Sequence, residues 1–263
     1  MQPMNPPVAS WRGKRVWIVG ASSGIGAATA RLLLRKGAML AVSARSAPEL
    51  ERLAAEAKAA DSGHVEVLPL DVTHPTAVAS AAEHLLSRWG GLDLVLVVAG
   101  TYSAMRADAL DLAAARQIID INLNGPFNVL AAVTPALLQQ KGGAIGIIGS
   151  VAGYSGLPKA MAYGPSKAAV INLCEALYFD LRPHGIGVHL ISPGFVATPL
   201  TAANDFRMPA LIQPDEAAGE IVRGIECGDF DIHFPKRFSR LLKLLRILPY
   251  RAYFSIVRRV TAL

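Results

Sequence analysis

Residues 15–26 of this 263-residue chain read RVWIVGASSGIG. The run Arg15–Gly20 has the apolar, β-branched character of a buried strand, and a stretch of helical periodicity follows the glycines. Glycine lets the backbone turn sharply and approach a phosphate closely, and the start of a helix offers unpaired N–H groups to that phosphate. The segment therefore predicts a strand, a phosphate-binding turn and a helix, with a purely structural glycine turn as the alternative.

Five further apolar runs of strand length follow the first, and stretches with 3.6-residue apolar periodicity lie between them. The runs are Met39–Ala44, Val65–Leu70, Asp93–Val98, Ala144–Gly149 and Gly187–Ser192. The helical stretches include Ala27–Lys36, Ala77–Arg88 and Leu110–Gln139. Because the strand runs are apolar throughout rather than alternating, both of their faces are expected to be buried, as in a parallel sheet covered by helices. The pattern predicts an α/β fold, a doubly wound, Rossmann-like parallel sheet in a single domain.

The composition argues against several classes of protein. With 52% hydrophobic and 17% charged residues, the chain is too apolar to be disordered. We expect no secretory signal in its Pro-rich first ten residues and no membrane span, since no apolar run reaches the required ~18 residues. Cys174 and Cys227 fall on helix faces expected to be buried, which suits a reducing cytoplasm. The six histidines are scattered, so no metal site is expected.

Positive charge is concentrated at the C-terminus. Residues 236–263 hold eight of the 26 Lys and Arg residues and none of the 20 acidic ones, so the rest of the chain is slightly acidic. A body of this charge is not expected to bind nucleic acid. Along Arg237–Leu248 the apolar side chains fall on one helical face and the basic ones opposite, and Tyr250–Leu263 adds further apolar residues.

Two interpretations of residues 236–263 stay open. The apolar face either packs against the substrate pocket or a partner subunit, which we favour, or lies on a membrane surface as an interfacial helix. The first interpretation leaves the arginines in water, and the second places them beside lipid headgroups. The expected location is cytoplasmic, and under the second interpretation it is the inner face of a membrane.

The ends of the second and third strands carry candidate contacts for a dinucleotide. The acidic residue that would bond a ribose 2′-hydroxyl is missing, and Ala44 is followed there by Arg45. Because an arginine can pair with a 2′-phosphate, the position favours NADP(H) over NAD(H), with a solvated surface arginine as the alternative. Asp71 and the adjoining Val72 could contact the adenine, or Asp71 could instead cap a helix over Thr73–Arg88.

Tyr163 and Lys167 lie four residues apart at the start of a predicted helix, so that phenol and ammonium share one face. A phenol has a pKa near 10, and a neighbouring cation would stabilise its anion for acid–base work. Ser150 directly follows the fifth strand, where its hydroxyl could polarise a substrate oxygen. Asn122 lies in a long helical segment, where an irregularity would let it hold a water. Taken singly, Ser150 could be a turn serine and Asn122 part of a polar helix face.

These residues together resemble the short-chain dehydrogenase/reductase family over roughly residues 12–200. The resemblance rests on a glycine turn, an Ala-Gly pair after the fourth strand, a polar tetrad and a Pro-Gly turn after the sixth strand. The residues are Gly20, Gly24 and Gly26; Ala99 and Gly100; Asn122, Ser150, Tyr163 and Lys167; and Pro193 and Gly194 followed by Thr198.

The resemblance implies a role for each residue. Tyr163 would be the catalytic acid/base and Ser150 would position the substrate carbonyl. Lys167 would lower the pKa of the tyrosine and bind the nicotinamide ribose, while Asn122 would anchor a relay water. Thr198 would contact the nicotinamide carboxamide, with Gly194 and Val196 beside it. Ser22, Ser23 and Ile25 would join the glycines at the phosphates, and family members commonly form homodimers or homotetramers.

Two departures from the family pattern concern the strands below the turn. Val19 stands where the family usually has Thr, and Val97 and Val98 stand where it has Asn-Asn. Because the polar groups are missing from both strands, we expect apolar packing to replace them and cofactor binding to be retained.

The substrate is expected to be lipophilic, because apolar residues follow the tetrad elements. They are Tyr154, Leu157, Met161, Phe195, Leu200, Phe206 and Met208. Ordinary packing of these side chains beneath a loop is the alternative. The sequence thus predicts a catalytic, dinucleotide-binding domain over residues 1–235 with a helical extension over 236–263. The predicted activity is NAD(P)-dependent hydride transfer to or from a carbonyl or secondary alcohol; a non-catalytic redox-sensing or membrane-associated scaffold protein is the alternative.

Overall fold

A computed structural model describes residues 2–60, 63–202 and 208–261 of the chain. In the described residues seven parallel strands form one sheet in the order β3-β2-β1-β4-β5-β6-β7. The strands are β1 (Arg15–Val19), β2 (Met39–Ser43), β3 (Val65–Val67), β4 (Leu94–Val97), β5 (Ala144–Ile148), β6 (Gly187–Pro193) and β7 (Asp231–Phe234). Strand order reverses between β1 and β4, which is the doubly wound topology and confirms the predicted fold class.

Helices cover both faces of this sheet, as the continuously apolar strands require. The helices are α1 (Gly24–Arg35), α2 (Ala47–Ala59), α3 (Pro75–Trp89), α4 (Leu112–Ile119), α5 (Gly125–Gln140), α6 (Tyr163–Leu181), α7 (Pro199–Ala202), α8 (Pro214–Glu226), α9 (Lys236–Arg246) and α10 (Tyr250–Thr261). On one face, Leu33 of α1 and Ile221 of α8 belong to one apolar cluster with Ile18 of β1. On the other, Leu85 of α3 and Val170 of α6 pack with the opposite side of the sheet.

Two strands differ from the sequence-based expectation. β3 ends at Val67 instead of Leu70, although the N–H groups of Leu68 and Leu70 still donate to the carbonyls of Val42 and Ala44, both at 3.0 Å. β7 was not predicted. It is a four-residue edge strand in which buried and partly exposed residues alternate, so it lacks the continuous apolar run that marked the other six.

The predicted helical segment Leu110–Gln139 is divided into α4 and α5 by a π-turn over Asp120–Asn124. There the N–H of Gly125 bonds to the carbonyl of Asp120, five residues earlier. Pro126 has no N–H group for the carbonyl of Asn122 four residues earlier, which favours the irregularity at this position. The turn holds Asn122 inside the protein, next to the carboxyl end of β4.

The N-terminal segment is fastened to the sheet by Asn5, which is buried. Its side-chain amide donates to the carbonyl of Val188 at 2.7 Å and accepts from the N–H of Val188 at 3.0 Å. The Asn5 side chain thereby bonds the backbone of β6 at Val188, two residues before Leu190, where the pairing of β6 with β7 begins.

The two cysteines differ in exposure. Cys174 is buried as predicted, whereas Cys227 is exposed, because it follows the last turn of α8 and lies at its end. No helix in the described part of the chain is both long and apolar enough to cross a bilayer.

Candidate active site

A cavity of about 350 Å³ opens at the carboxyl ends of the strands, where ligands bind in open parallel sheets. Every residue predicted to contact the cofactor lines it, together with Ser150. These residues are Gly20, Ser22, Ser23, Gly24, Ile25, Gly26, Arg45, Asp71, Val72, Ala99, Gly100, Tyr163, Lys167, Pro193, Gly194, Val196 and Thr198. Asn122 lies behind the wall of the cavity, buried under Gly100 and Thr101.

The glycine turn has no room for side chains. A Cβ on Gly20 would lie 2.3 Å from the backbone nitrogen of Ala99, and one on Gly26 would lie 2.1 Å from the carbonyl oxygen of Gly20. Gly24 begins α1 with a φ of 53°. The cap residue Ser23 makes no side-chain bond to the first turn, which leaves the N–H groups at the start of α1 for a ligand. The turn therefore fits a pyrophosphate.

At one end of the cavity Arg45 lies close enough to Asp71 for its charge to act on the carboxylate. Burial alone would raise the pKa of Asp71, but bonds from the N–H and hydroxyl of Thr73, at 2.9 and 2.8 Å, and the charge of Arg45 hold it below its ordinary value. Helix α3 begins later, with His74 as its cap residue. The alternative prediction that Asp71 caps this helix is therefore wrong.

At the other end of the cavity, Ser150 and Tyr163 both line the wall, and their side chains are hydrogen-bonding partners. The Ser150 hydroxyl accepts a bond from the N–H of Ala152 at 3.1 Å, which fixes the start of a 3₁₀ turn over Val151–Gly153. Burial raises the pKa of Tyr163, and a hydrogen bond with Ser150 partly offsets this rise. The ring of Tyr102 meets the Tyr163 ring edge-on, with centroids 5.1 Å apart.

Lys167 is buried one helical turn after Tyr163. Its Nζ donates to the carbonyl of Ile148 at 2.8 Å and lies 5.8 Å from the centre of the Tyr163 ring. Burial lowers the pKa of Lys167 to about 7. The resemblance implies that this amine lowers the pKa of Tyr163. In the structure burial raises the pKa of Tyr163 instead, and the amine donates to the carbonyl of Ile148 rather than to the phenol.

Asn122 links two parts of the site. Its Oδ1 accepts from the N–H of Thr101 at 2.8 Å, and its Nδ2 donates to the carbonyl of Thr101 at 3.0 Å and to Ser166 Oγ at 3.1 Å. Ser166 Oγ in turn donates to the carbonyl of Tyr163 at 2.8 Å. The side chain of Asn122 thus joins the end of β4 to the first turn of α6, which carries Tyr163.

A family model for short chain dehydrogenases matches residues 14–207. The chain belongs to the short-chain dehydrogenase/reductase family. It is similar to an uncharacterized oxidoreductase of Myxococcus xanthus, with 37% identity over 92% of this chain and 96% of that protein. It is also similar to the 3-oxoacyl-[acyl-carrier-protein] reductase FabG of Thermotoga maritima, with 33% identity over 72% of this chain and 76% of that protein.

Among solved structures, a short-chain type dehydrogenase/reductase from Mycobacterium marinum matches 85% of this chain and 94% of its own, with 30% identity and a TM-score of 0.78. The family and these relatives confirm the predicted enzyme class. This short-chain dehydrogenase/reductase is an oxidoreductase that uses a nicotinamide cofactor.

The valines that replace polar residues of the short-chain dehydrogenase/reductase pattern lie against each other. Val19 and Val97 are partners in the register of β1 and β4, and both are buried on the same face of the sheet. The carbonyl of Val19 accepts from the N–H groups of Val98 and Ala99, at 2.7 and 2.9 Å. Backbone hydrogen bonds therefore join the ends of β1 and β4 below the glycine turn, although the polar side chains of the family pattern are missing.

The apolar residues predicted to line the substrate side divide into two groups. Leu200 lines the cavity, whereas Tyr154 lies under Lys243 of α9 and Phe195 packs against Phe238 of the same helix. Tyr154 and Phe195 are not among the residues that line the cavity. Leu157, Met161 and Met208 are not among the residues that line the cavity, and Phe206 lies outside the described residues.

Sequence reasoning missed Tyr102, whose ring contacts that of Tyr163, and several residues that line the cavity. Tyr102 follows the Ala-Gly pair after β4, and its position just beyond a strand end was a usable signal. Ile121 comes from the π-turn, which the helical periodicity did not reveal. The other missed lining residues include Leu70, Val98, Gly149 and Thr201. Among the described residues, no group of three His, Cys, Asp or Glu side chains could hold a metal ion.

Proposed function

We propose that this enzyme is an NADP(H)-preferring reductase of lipophilic carbonyl compounds in which Tyr163 donates the proton. One observation carries the proposal: a single cavity has Arg45 beside the glycine turn at one end and Ser150 with Tyr163 at the other. An extended dinucleotide would lie between these ends, with its pyrophosphate at the start of α1.

The residues of the cavity suit the two ends of NADP(H). Arg45 would pair with the 2′-phosphate, and Asp71 and Val72 would contact the adenine. Lys167 would bind the nicotinamide ribose, and Thr198, with the backbone of Gly194 and Val196, would hold the carboxamide. When bound, the reduced nicotinamide supplies the hydride that reduces the carbonyl carbon.

Tyr163 and Ser150 act on the carbonyl oxygen. The raised pKa of Tyr163 keeps its phenol protonated at neutral pH, which suits a donor to the oxygen of a carbonyl that is being reduced. Ser150 holds that oxygen beside the phenol by donating a hydrogen bond. Lys167 and a water held at Asn122 return a proton to the phenolate after each turnover.

A lipophilic substrate is supported by the surroundings of Tyr163. The Tyr102 ring covers one side of the tyrosine, and Leu200 lines the cavity. Apolar surface beside a donor pair favours a carbonyl carried on a hydrocarbon body over a highly polar one.

A homodimer or homotetramer is proposed through the helices that carry the site. Ile119 at the end of α4, Phe127 in α5 and Phe179 in α6 expose large apolar side chains. Burying them against a second copy would remove this surface from water. A cytoplasmic location stays a prediction.

The proposal is tested by NADPH oxidation with methyl ketones of increasing chain length, with cyclic and aryl ketones alongside. For each CH₂ group that becomes buried, kcat/KM is expected to rise about fourfold. NADPH is expected to bind at least tenfold more tightly than NADH, roughly the worth of one charge-assisted pair. Absence of turnover across the panel, or a preference for NADH, would overturn it.

A further inference from the structure

The C-terminal helices α9 and α10 are fixed to the body of the enzyme on their inner side. Ser239 is buried and bonds His233 at 2.7 Å, and Phe238 packs against Phe195 with ring centroids 5.9 Å apart. In α10, Tyr253 is buried and donates its hydroxyl to the carbonyl of Gly156 at 2.6 Å. The two helices therefore present their opposite side to solvent in a defined orientation.

The solvent-facing side of these helices carries several exposed, large apolar side chains. On α9 and at the residue that follows it, the side chains of Leu241, Leu244 and Ile247 are 55%, 60% and 77% exposed. They follow one another at intervals of three residues, so they form one strip along the helix. Tyr250 and Phe254 of α10, whose rings stack with centroids 5.7 Å apart, are also exposed. We call these five residues the outer apolar strip.

Basic side chains accompany the outer apolar strip. Of the eight basic residues in the C-terminal segment, Lys243 is paired with Asp231 beneath α9. The other basic residues form no ion pair with a carboxylate in the described part of the chain. Those that are exposed are Arg237, Arg240, Arg246, Arg251, Arg258 and Arg259. The surface combines exposed hydrocarbon with uncompensated positive charge, which is the combination that binds an anionic membrane interface.

The helices stand at the same edge of the sheet as the cavity. Helix α9 starts two residues after the end of β7, and a Cβ on Gly194, which lines the cavity, would lie 3.1 Å from the ring of Phe238. A surface that held α9 against a bilayer would therefore hold this edge of the enzyme near the lipid.

A second copy of the chain is a poorer occupant for this surface. In a two-fold dimer the same patch would meet itself, and its unpaired arginines would face the same arginines with no acidic partner within the segment. Anionic headgroups supply the opposite charge, and the acyl region accepts Leu244 and Ile247.

We propose that the outer apolar strip and its arginines dock the enzyme onto an anionic lipid bilayer. The enzyme then lies on the membrane as a peripheral protein, with the edge that carries its cavity close to the lipid. This inference goes beyond the proposed function. The lipophilic substrate of the proposed function would then reach the cavity from the bilayer.

Flotation of the full-length protein with vesicles tests the proposal. The vesicles are phosphatidylcholine alone or an equimolar mixture of phosphatidylcholine and phosphatidylglycerol, at about 0.1 M and about 0.5 M salt, across which the Debye length falls from ~10 Å to ~4 Å. We expect the bound fraction on the anionic vesicles at low salt to exceed that on neutral vesicles at least tenfold and to fall at high salt.

Two matched variants separate the strip from the rest of the surface. Leu244→Glu with Ile247→Glu is expected to lower anionic-vesicle binding at least tenfold. The control, Met4→Glu with Met39→Glu, adds the same charge at apolar residues that are 47% and 42% exposed, one near the N-terminus and one at the amino end of β2. Equal NADPH affinity of all three proteins shows that each is folded.

Three outcomes overturn the docking proposal. They are equal binding of wild type to neutral and anionic vesicles, loss of binding in the control as well as in the strip variant, and concentration-dependent self-association that the strip variant abolishes without any vesicle binding. Because flotation needs neither cofactor nor substrate, and ketone turnover needs no lipid, failure here is distinguishable from failure of the proposed reductase activity.

Discussion

Lys167 and Tyr163 lie one helical turn apart, yet the amine donates its hydrogen bond to the carbonyl of Ile148 rather than to the phenol. Lys167 is buried and Tyr163 is partly buried, and the removal from water moves their pKa values in opposite directions, each towards the neutral form. Under the proposed function, the neutral phenol would donate the proton and the buried amine would help to replace it.

The lowered pKa of Lys167 has a consequence for stability. The unfolded chain keeps this proton up to about pH 10.5, whereas the folded protein loses it near pH 7. Folding therefore releases a proton between these values, so the wild type gains stability relative to Lys167→Met as the pH rises through this window, by about 1.4 kcal/mol per pH unit. Urea unfolding of both proteins between roughly pH 7 and pH 9 measures the difference. A constant difference would contradict the buried, neutral amine.

A second pH effect involves His189, which is buried and bonds the carbonyl of Asp229 through Nδ1 at 2.6 Å. Burial lowers the pKa of His189 to about 4 from 6.5. The unfolded state thus binds a proton between these values that the folded state does not, and stability is lost as the pH falls from 6.5 to 4. Its contribution is about 2–3 kcal/mol.

His189→Asn keeps a donor for Asp229 but has nothing to titrate. The unfolding free energy of this variant is expected to fall less steeply than that of the wild type between pH 6.5 and 4. Parallel curves for the two proteins would show that His189 does not contribute to acid unfolding.

Arg45 is predicted to set the cofactor preference. Arg45→Ala should weaken NADPH binding about tenfold to a hundredfold and leave NADH binding within about twofold, because NADH lacks the 2′-phosphate. Arg52→Ala is the matched control, since Arg52 is an exposed arginine of α2 that does not line the cavity. Fluorescence titration measures each dissociation constant. Equal losses for NADPH and NADH would contradict the role of Arg45.

The paired valines give a test by double-mutant cycle. Val19→Thr or Val97→Asn alone places a polar group in the apolar cluster between β1 and β4 and should cost about 1–3 kcal/mol of unfolding free energy. The double variant lets the two groups bond each other, so its cost should be clearly smaller than the sum. Additive costs would mean that the two positions do not interact across the strands.

The sequence was sufficient for strands β1 to β6 and for the residues that share the cavity, because both depend on local signals. Continuous apolar runs marked β1 to β6, and the residues placed at their carboxyl ends necessarily meet at one edge of a parallel sheet. Position after a strand therefore predicted Arg45, Asp71 and Ser150 as neighbours of one cavity. The edge strand β7 gave no such run, since only one of its faces is buried.

Other features depend on contacts between distant parts of the chain. Tyr154 and Phe195 follow strand ends, as substrate-lining residues should, but α9 returns from the C-terminus and covers them. The spacing of Tyr163 and Lys167 predicted a shared face, whereas the depth of burial and the Ile148 carbonyl determine which group the amine bonds. The amphipathic pattern of α9 likewise did not reveal that its apolar side chains divide between the body and solvent.

Whether Tyr163 transfers the proton is decided by comparing steady-state NADPH oxidation by the wild type and Tyr163→Phe with a ketone that the wild type reduces. Phenylalanine keeps the ring that meets Tyr102 and removes only the hydroxyl. We predict a loss in kcat of at least about 10³-fold, with a dissociation constant for NADPH within about threefold of the wild-type value. A variant that retains more than about a tenth of the wild-type kcat would contradict the assignment of Tyr163 as the proton donor.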